Sequence, residues 1–475
     1  MNDVDASRSD TPEMTRCDLL VRNAYVVTMN REREVYPRGA VAIRDGEIAA
    51  VGPEAGVVAR FRPEQSIDAK GGVVHPGFIE THLHITQHNF RFAFSAGLSW
   101  PEVLSFFFDG WVPVITDDEE HASSMLACLE MVRNGTTAFL EGDTIFNLDA
   151  AAAAVEAVGM RGSLGDPWVM DIGPVVPGRI PDTTDKAIDL LGSQLKRNAD
   201  PHALVQGHVA VLGHSTASDE LELAAKACAD SNGVILNQHQ SYGLDDTRDD
   251  DKRRGRHVLL HFAELGLLDN NCTFAHMNMI RDDEVEPIVT SGMSVAWCPT
   301  ASMFYGRGGT IKGRHLELYQ RGVNVSLGSD APNWSGPLDV GEQGFIALLT
   351  SREKTGQGDA LEAEDVLAMA TINGARALGW EDRLGSLEVG KRADLVIRRD
   401  DLPEGQPGLD PIRGIVFSSR AKSVDTVIVN GKIIVEKGHS TCVDEELVYE
   451  ASRVAARDML KRMGYSVPQR WPSLE

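Results

Sequence analysis

The sequence contains no CxxC pair and no dense cysteine framework; its six cysteines, Cys17, Cys128, Cys228, Cys272, Cys298 and Cys442, are scattered along the chain. That spacing excludes a disulfide-built secreted fold and fits a reducing compartment. No apolar run approaches the ~18 residues that a membrane-spanning helix needs. The opening stretch, MNDVDASRSDTPEMTR, lacks the basic and apolar regions of a signal peptide. A cytoplasmic protein with a disordered tail over residues 1–16 is expected. Positive charge is also scarce: 46 Lys and Arg against 70 Asp and Glu give a net charge of −24. Such a balance repels phosphate backbones and anionic lipid surfaces. Nucleic acid and membrane are therefore excluded as expected partners, which leaves a small-molecule substrate.

At 475 residues the chain exceeds one ordinary core, so a large domain with a smaller satellite is expected. Residues 17–72 read as short β-type segments with a tight turn at Asp45-Gly46. The same texture returns over 384–442, with a turn at Asn430-Gly431, so the two ends are expected to form one β-sandwich. Residues 443–475 hold a final helix and tail, with Leu447, Ala451, Val454 and Ala455 on its apolar face.

Between the two ends, over 73–383, apolar strands end in polar residues and are each followed by a helical stretch. This is the pattern of repeated βα units. Eight strands are read at 73–82, 136–142, 161–169, 203–212, 233–239, 272–277, 293–298 and 324–330. The fold class is thus α/β, a (β/α)8 TIM barrel, whose reactive groups collect at the C-terminal strand ends. A helix is expected over 364–378, and the charged run 245–256 reads either as a solvated loop and helix start or as a lid.

The first strand ends in His82-Leu83-His84. Residues i and i+2 of an extended chain point to one side, so both imidazoles can converge on one metal. His239, His276 and Asp330 end strands five, six and eight. Each has an ordinary structural reading as a buried histidine or a helix cap. Their joint placement on one rim is what argues for a metal centre.

With HPGFIETHLH at 75–84, WCPTAS at 297–302, GSD at 328–330 and LGSLEVGKRADLV at 384–396, the sequence resembles the amidohydrolase superfamily, in its cytosine deaminase and triazine hydrolase branch. The resemblance implies His82, His84, His239 and Asp330 as metal ligands, with His276 beside the metal-bound water or substrate oxygen. Asp330 would also shuttle protons. One divalent ion is implied, zinc first, with iron(II) and cobalt(II) as alternatives. Binuclear relatives use a carboxylated lysine from strand four, and ALVQGHVAVL offers none. A homodimer or larger homo-oligomer is implied as well.

In that branch a glutamate three positions after the fifth-strand histidine protonates the substrate ring. Tyr242 stands there, and Asn237 occupies a position often filled by histidine. A phenol with a pKa near ~10 is a poor proton donor. The expected reaction is therefore attack of metal-bound hydroxide on a C–N or related C–S bond of an acyclic amide, urea or carbamate. The likeness is to hydrolases of phenylurea and thiocarbamate herbicides. The alternative is an aminohydrolase or chlorohydrolase acting on a purine, pyrimidine, pterin or s-triazine ring.

Tyr242 joins Asp330 and His276 as an expected catalytic residue, and otherwise packs in its loop. Substrate contacts are expected from Gln87, His88, Asn237, His214, Trp100 and Asn333. Phe90, Phe92, Phe94, Trp100, Phe106, Phe107, Phe108 and Trp111 offer an apolar wall for an aryl or alkyl group, or else ordinary loop core. Glu141 and Asp143 can orient a ligand histidine.

Overall fold

The computed structural model describes residues 14–94, 97–469 and 471. Most of the expected tail, residues 1–13, therefore lies outside the described residues. Both chain ends build a single nine-stranded sheet. Thr15–Val27 pairs antiparallel with Val35–Arg44 and parallel with Phe61–Asp68. From the other end, Leu395–Arg398 pairs antiparallel with Val73–Pro76 and with Val424–Val429. The two expected turns are there: Asp45 and Gly46 have φ of 54° and 78°, and Asn430 and Gly431 have 51° and 75°. Positive φ at both central positions is the requirement of the tightest hairpin turn, which Asp-Gly and Asn-Gly satisfy at low cost. A shared core of Val21, Val41, Ile43, Leu395, Ile397 and Ile428 locks the two ends together.

The run read as the first barrel strand is two strands. Val73–Pro76 belongs to the end sheet, and Phe78–Leu83 opens the barrel. Gly77 makes the passage, its N–H donating to Asp394 O while Phe78 N–H donates to Gly135 O. A Cβ at position 77 would lie 1.9 Å from Thr137 Oγ1, so only glycine lets the chain cross there.

The barrel strands are Phe78–Leu83 (β1), Thr136–Glu141 (β2), Arg161–Leu164 (β3), Val205–Gly207 with Val209–Gly213 (β4), Leu236–Gln240 (β5), Cys272–His276 (β6), Ser294–Trp297 (β7) and Asn324–Leu327 (β8). They pair in parallel in two arcs, β1 to the first piece of β4 and the second piece of β4 to β8. The arcs meet at His208, whose N–H donates to Leu164 O on β3 while the next N–H, of Val209, donates to Ile235 O beside β5. The circle closes between β8 and β1: Thr81 Oγ1 donates to Leu327 O at 2.8 Å and Asp330 N to His82 O at 2.8 Å. β3 stops at Leu164, short of the expected 169, because the following turn is pulled outward by Asp166, which accepts the N–H groups of Gly192 and Ser193.

The helix expected over 364–378 is broken into Ala363–Ala370 and Ile372–Ala377 by Thr371, with φ −127° and ψ −90°. The final helix, Glu445–Met463, buries Val448, Ser452, Ala455 and Met459, at helical spacing. Its expected face was misplaced by about one position: Leu447 is 69 % exposed. Met459 decides the orientation by joining an aromatic cluster that includes Phe90, Phe106 and Trp111. Among the described residues no helix is long and apolar enough to cross a membrane.

Candidate active site

His82 lies near the end of β1 and His84 directly follows it, His239 is the last residue but one of β5, His276 ends β6, and Asp330 follows β8. All five are buried. His84 Nε2 lies 3.4 Å from Asp330 Oδ1 and 3.2 Å from His239 Nε2. His82 Nε2 lies 4.0 Å from Asp330 Oδ1, and His276 Nε2 4.0 Å from Asp330 Oδ2. Donor atoms of His82, His84 and Asp330 fall within 4.8 Å of one another, as do those of His82, His239 and His276.

Neither ring nitrogen of His82 has a hydrogen-bond partner. His239 Nδ1 donates to Leu212 O at 2.7 Å, and His84 Nδ1 is 2.8 Å from Thr144 Oγ1. With its Nδ1 donating to Leu212 O, neutral His239 turns an unprotonated Nε2 toward His84 Nε2. Burial holds His82, His239 and His276 well below the usual histidine range and His84 at about 3, so all are neutral ligands. Burial also pushes the Asp330 carboxyl up, to about 7. Crowded imidazole nitrogens, an orphaned buried imidazole and a desolvated carboxylate are what a divalent cation among them would relieve. The donor set therefore fits a metal ion, which His82, His84, His239 and Asp330 could hold.

Strain gathers at the same rim. His214, Ser215, Ser241, His276, Met277 and Asp330 all have φ between 50° and 71°. Non-glycine residues adopt such values rarely, and they cluster where a site over-determines the backbone. At His276 the hold is visible: His315 Nε2 donates to its carbonyl at 2.6 Å.

Two neighbours were not foreseen. Thr144, beyond β2, bridges His84 to Glu141, its Oγ1 lying 3.5 Å from Glu141 Oε1. Glu80 accepts Ser329 N–H at 2.8 Å and Ser329 O–H at 2.6 Å, tying β1 to the loop that carries Asp330. Its place two residues before His82 put it on the same strand face as the ligands, a signal present in the sequence. Thr144→Val removes the hydroxyl without changing shape. It is expected to weaken metal affinity about 10–100-fold, measured by chelator competition.

A cavity of about 430 Å³ opens above these ligands. Gln87, His214 and Tyr242 line it, together with Leu104, Phe107, Phe108, Trp168 and Leu212. Among the described side chains of the expected aromatic wall, Phe107 and Phe108 reach it; Phe90, Phe94, Phe106 and Trp111 fill the core behind, and Phe92 is 56 % exposed. The Trp100 side chain lies outside the described residues.

Three expected substrate contacts sit elsewhere. His88 Nε2 is 2.9 Å from Glu130 Oε2. Asn333 Oδ1 accepts Phe92 N–H. Asn237 points below the ligands, its amide donating to Asp143 Oδ2 and to Glu141 O. Asp143 turns from the ligand histidines to His208, with Oδ1 3.2 Å from its Nε2. The charged run is the helix Leu244–Arg254, and its Asp245, Asp246 and Asp249 line the cavity mouth.

Tyr242 is buried, its ring 4.6 Å from that of His276 and its hydroxyl 3.5 Å from Ala301 O. The Arg307 guanidinium lies 5.6 Å from the ring centroid. Burial, with the Asp330 carboxylate near, drives the phenol well above its usual pKa.

A barrel with three imidazoles and a carboxylate at its C-terminal rim defines a metal-dependent hydrolase acting on carbon–nitrogen bonds. The chain belongs to the amidohydrolase family, whose sequence model matches residues 73–434. It is 32 % identical to the 5'-deoxyadenosine deaminase of Methanosarcina mazei, over 94 % of this chain and 99 % of that protein. It is also 32 % identical to the 5-methylthioadenosine/S-adenosylhomocysteine deaminase of Syntrophobacter fumaroxidans, over 93 % and 98 %.

Among solved structures, a zinc-bound adenosine deaminase of Xanthomonas campestris superposes with a TM-score of 0.86 at 25 % identity, over 94 % of this chain and all of that one (100 %). An atrazine chlorohydrolase of Arthrobacter aurescens shares the fold, with a TM-score of 0.82 at 21 % identity, over 92 % and 100 %. These findings overturn the open-chain reading. Relatives at about 30 % identity that match nearly end to end are named as 5'-deoxyadenosine and 5-methylthioadenosine/S-adenosylhomocysteine deaminases, which points to ring deamination.

Proposed function

We propose that this protein is an aminohydrolase that removes the exocyclic amine of a purine ring carried by a small adenosine-type nucleoside. Substrate and water give the 6-oxo purine and ammonia. The observation that carries the reading is end-to-end likeness to 5'-deoxyadenosine deaminase at 32 % identity, joined to an intact set of ligand residues. One divalent ion, zinc first and iron(II) or cobalt(II) as alternatives, would be held by His82, His84, His239 and Asp330. It would supply a Lewis-acidic centre for activating water.

The chain's own residues do the rest. Asp330 keeps Oδ2 toward His276, where it takes the proton from the attacking water and passes it to the departing amine. His276 Nε2 sits beside the same place and steadies oxygen charge. Phe107, Phe108 and Trp168 form an apolar wall suited to a flat heterocycle. Tyr242, held protonated by burial, donates a hydrogen bond to a ring nitrogen where the branch usually has a carboxylic acid. Tyr242→Phe is expected to lower kcat about tenfold with little change in KM; a loss under about twofold would leave Tyr242 a packing residue.

The reading is tested with protein loaded separately with zinc, iron(II) or cobalt(II) and offered 5'-deoxyadenosine, methylthioadenosine and adenosine. Ammonia release with the ultraviolet shift of amino to oxo purine supports it. Absence of ammonia from every pairing overturns it. Six unpaired cysteines support a reducing, cytoplasmic setting, the acidic balance speaks against nucleic acid and membrane as partners, and membership of the family supports a homo-oligomer.

A further inference from the structure

The cavity has two unlike walls. Leu104, Phe107, Phe108 and Trp168 make one side apolar, while the helix Leu244–Arg254 supplies three carboxylates, Asp245, Asp246 and Asp249, to the mouth. Arg253 is the sole lysine or arginine among the described lining residues. Its charge is already engaged: Nη1 donates to Ser215 O at 2.6 Å and Nη2 to Asp250 Oδ1 at 2.5 Å, and Asp250 is not part of the wall.

Asp246 is engaged too, accepting the N–H groups of Tyr242 and Gly243 at 2.9 and 2.7 Å as the cap of its helix. Asp245 and Asp249 are left. They stand one turn apart on one helix face, exposed, and form no ion pair among the described residues. Arg248 and Lys252 of the same helix do not line the cavity. Deeper in, the cavity is lined by Gln87, whose Oε1 is buried without a hydrogen-bond partner, and by His276 and Asp330.

We infer that Asp245 and Asp249 select substrates by the charge of the substituent that the purine nucleoside carries out to the cavity mouth. A protonated amine there is favoured, a neutral group is accepted, and a phosphate or carboxylate is rejected. This rests on the deaminase reading, which puts the ring at the ligand cluster and leaves the sugar substituent pointing outward. The physical basis is Coulombic. Two carboxylates within several ångströms of a solvated charge shift its binding by about tenfold between cation and anion. Added salt screens most of that.

The experiment compares kcat/KM of the metal-loaded, full-length enzyme for three adenosines differing only at the 5' carbon: 5'-amino-5'-deoxyadenosine, 5'-deoxyadenosine and adenosine 5'-phosphate. The expected order is amine, then deoxy, then phosphate. The amine-to-phosphate ratio should be about tenfold at low ionic strength and fall toward one in about 0.5 M salt. In the double variant Asp245→Asn, Asp249→Asn the ratio should fall toward one at low salt as well. Being a ratio within one preparation, it is independent of how much variant folds. Phosphate turned over as well as the amine, or a ratio that the double variant leaves unchanged, overturns the inference while the deaminase reading stands. No turnover of any of the three overturns that reading and this inference with it.

Discussion

Stripping the metal with a chelator is expected to cut ammonia release by a factor of about a thousand or more, and to restore it when zinc, iron(II) or cobalt(II) is returned. A Lewis-acidic centre contributes several kcal/mol to such a reaction, and each ~1.4 kcal/mol is tenfold in rate. The cluster itself gives the reason to expect dependence. Among the described lining residues Arg253 is the sole lysine or arginine, and its guanidinium is engaged by Ser215 O and Asp250, which leaves no free fixed cation to activate water next to Asp330. Thermal stability should move in parallel. An ion that binds only the folded chain stabilises it by about 4 kcal/mol at a thousandfold excess over its Kd, and it would do so by giving the buried His82, His84 and His239 nitrogens a common partner. Metal content by elemental analysis is the control. Full activity at less than about one ion per hundred chains would sink the metal-dependent mechanism proposed from this cluster.

What could be read without coordinates follows from how locally each feature is written. The His82, His84 pair is a two-residue pattern, and strand geometry alone aims both rings one way. His239, His276 and Asp330 each end an apolar run, and in a barrel the end of a run is a position in space. Depth within the barrel is not written that way. Asn237 shares the face of His239 but sits lower, bonded to Asp143 and Glu141 O. His88 and Asn333 are near ligands in sequence, yet turn to Glu130 and the Phe92 backbone. Thr144 is important only because the end of β2 brings its hydroxyl to His84, a register that spans 60 residues. The final helix carried apolar residues on two adjacent stripes, and the aromatic cluster around Met459, not periodicity, chose between them. The reaction was misjudged at Tyr242. The absence of a carboxylic acid at that position does not exclude ring chemistry, because a phenol is also a hydrogen-bond donor, and relatives that match nearly end to end are named as deaminases.

Asp330→Asn is expected to lower kcat by about 10²–10⁴-fold in enzyme saturated with metal, with KM changed far less. The substitution keeps the shape. Asparagine tolerates the φ of 65° found at this position, and its amide oxygen can still accept the Ala331 N–H that Oδ1 now accepts at 2.6 Å. What it loses is proton affinity on the side facing His276, 4.0 Å from Oδ2. Two effects have to be separated, because the same carboxylate would also hold the metal, its Oδ1 lying near His82 and His84. Weaker metal binding alone would be repaired by raising the metal concentration until the variant holds one ion per chain. A proton-transfer defect would persist at full occupancy. Recovery of more than about a tenth of wild-type kcat under those conditions would reduce Asp330 to a ligand and pass the proton-shuttle role to another group at the cavity, His214 being the first to substitute because it lines the same wall.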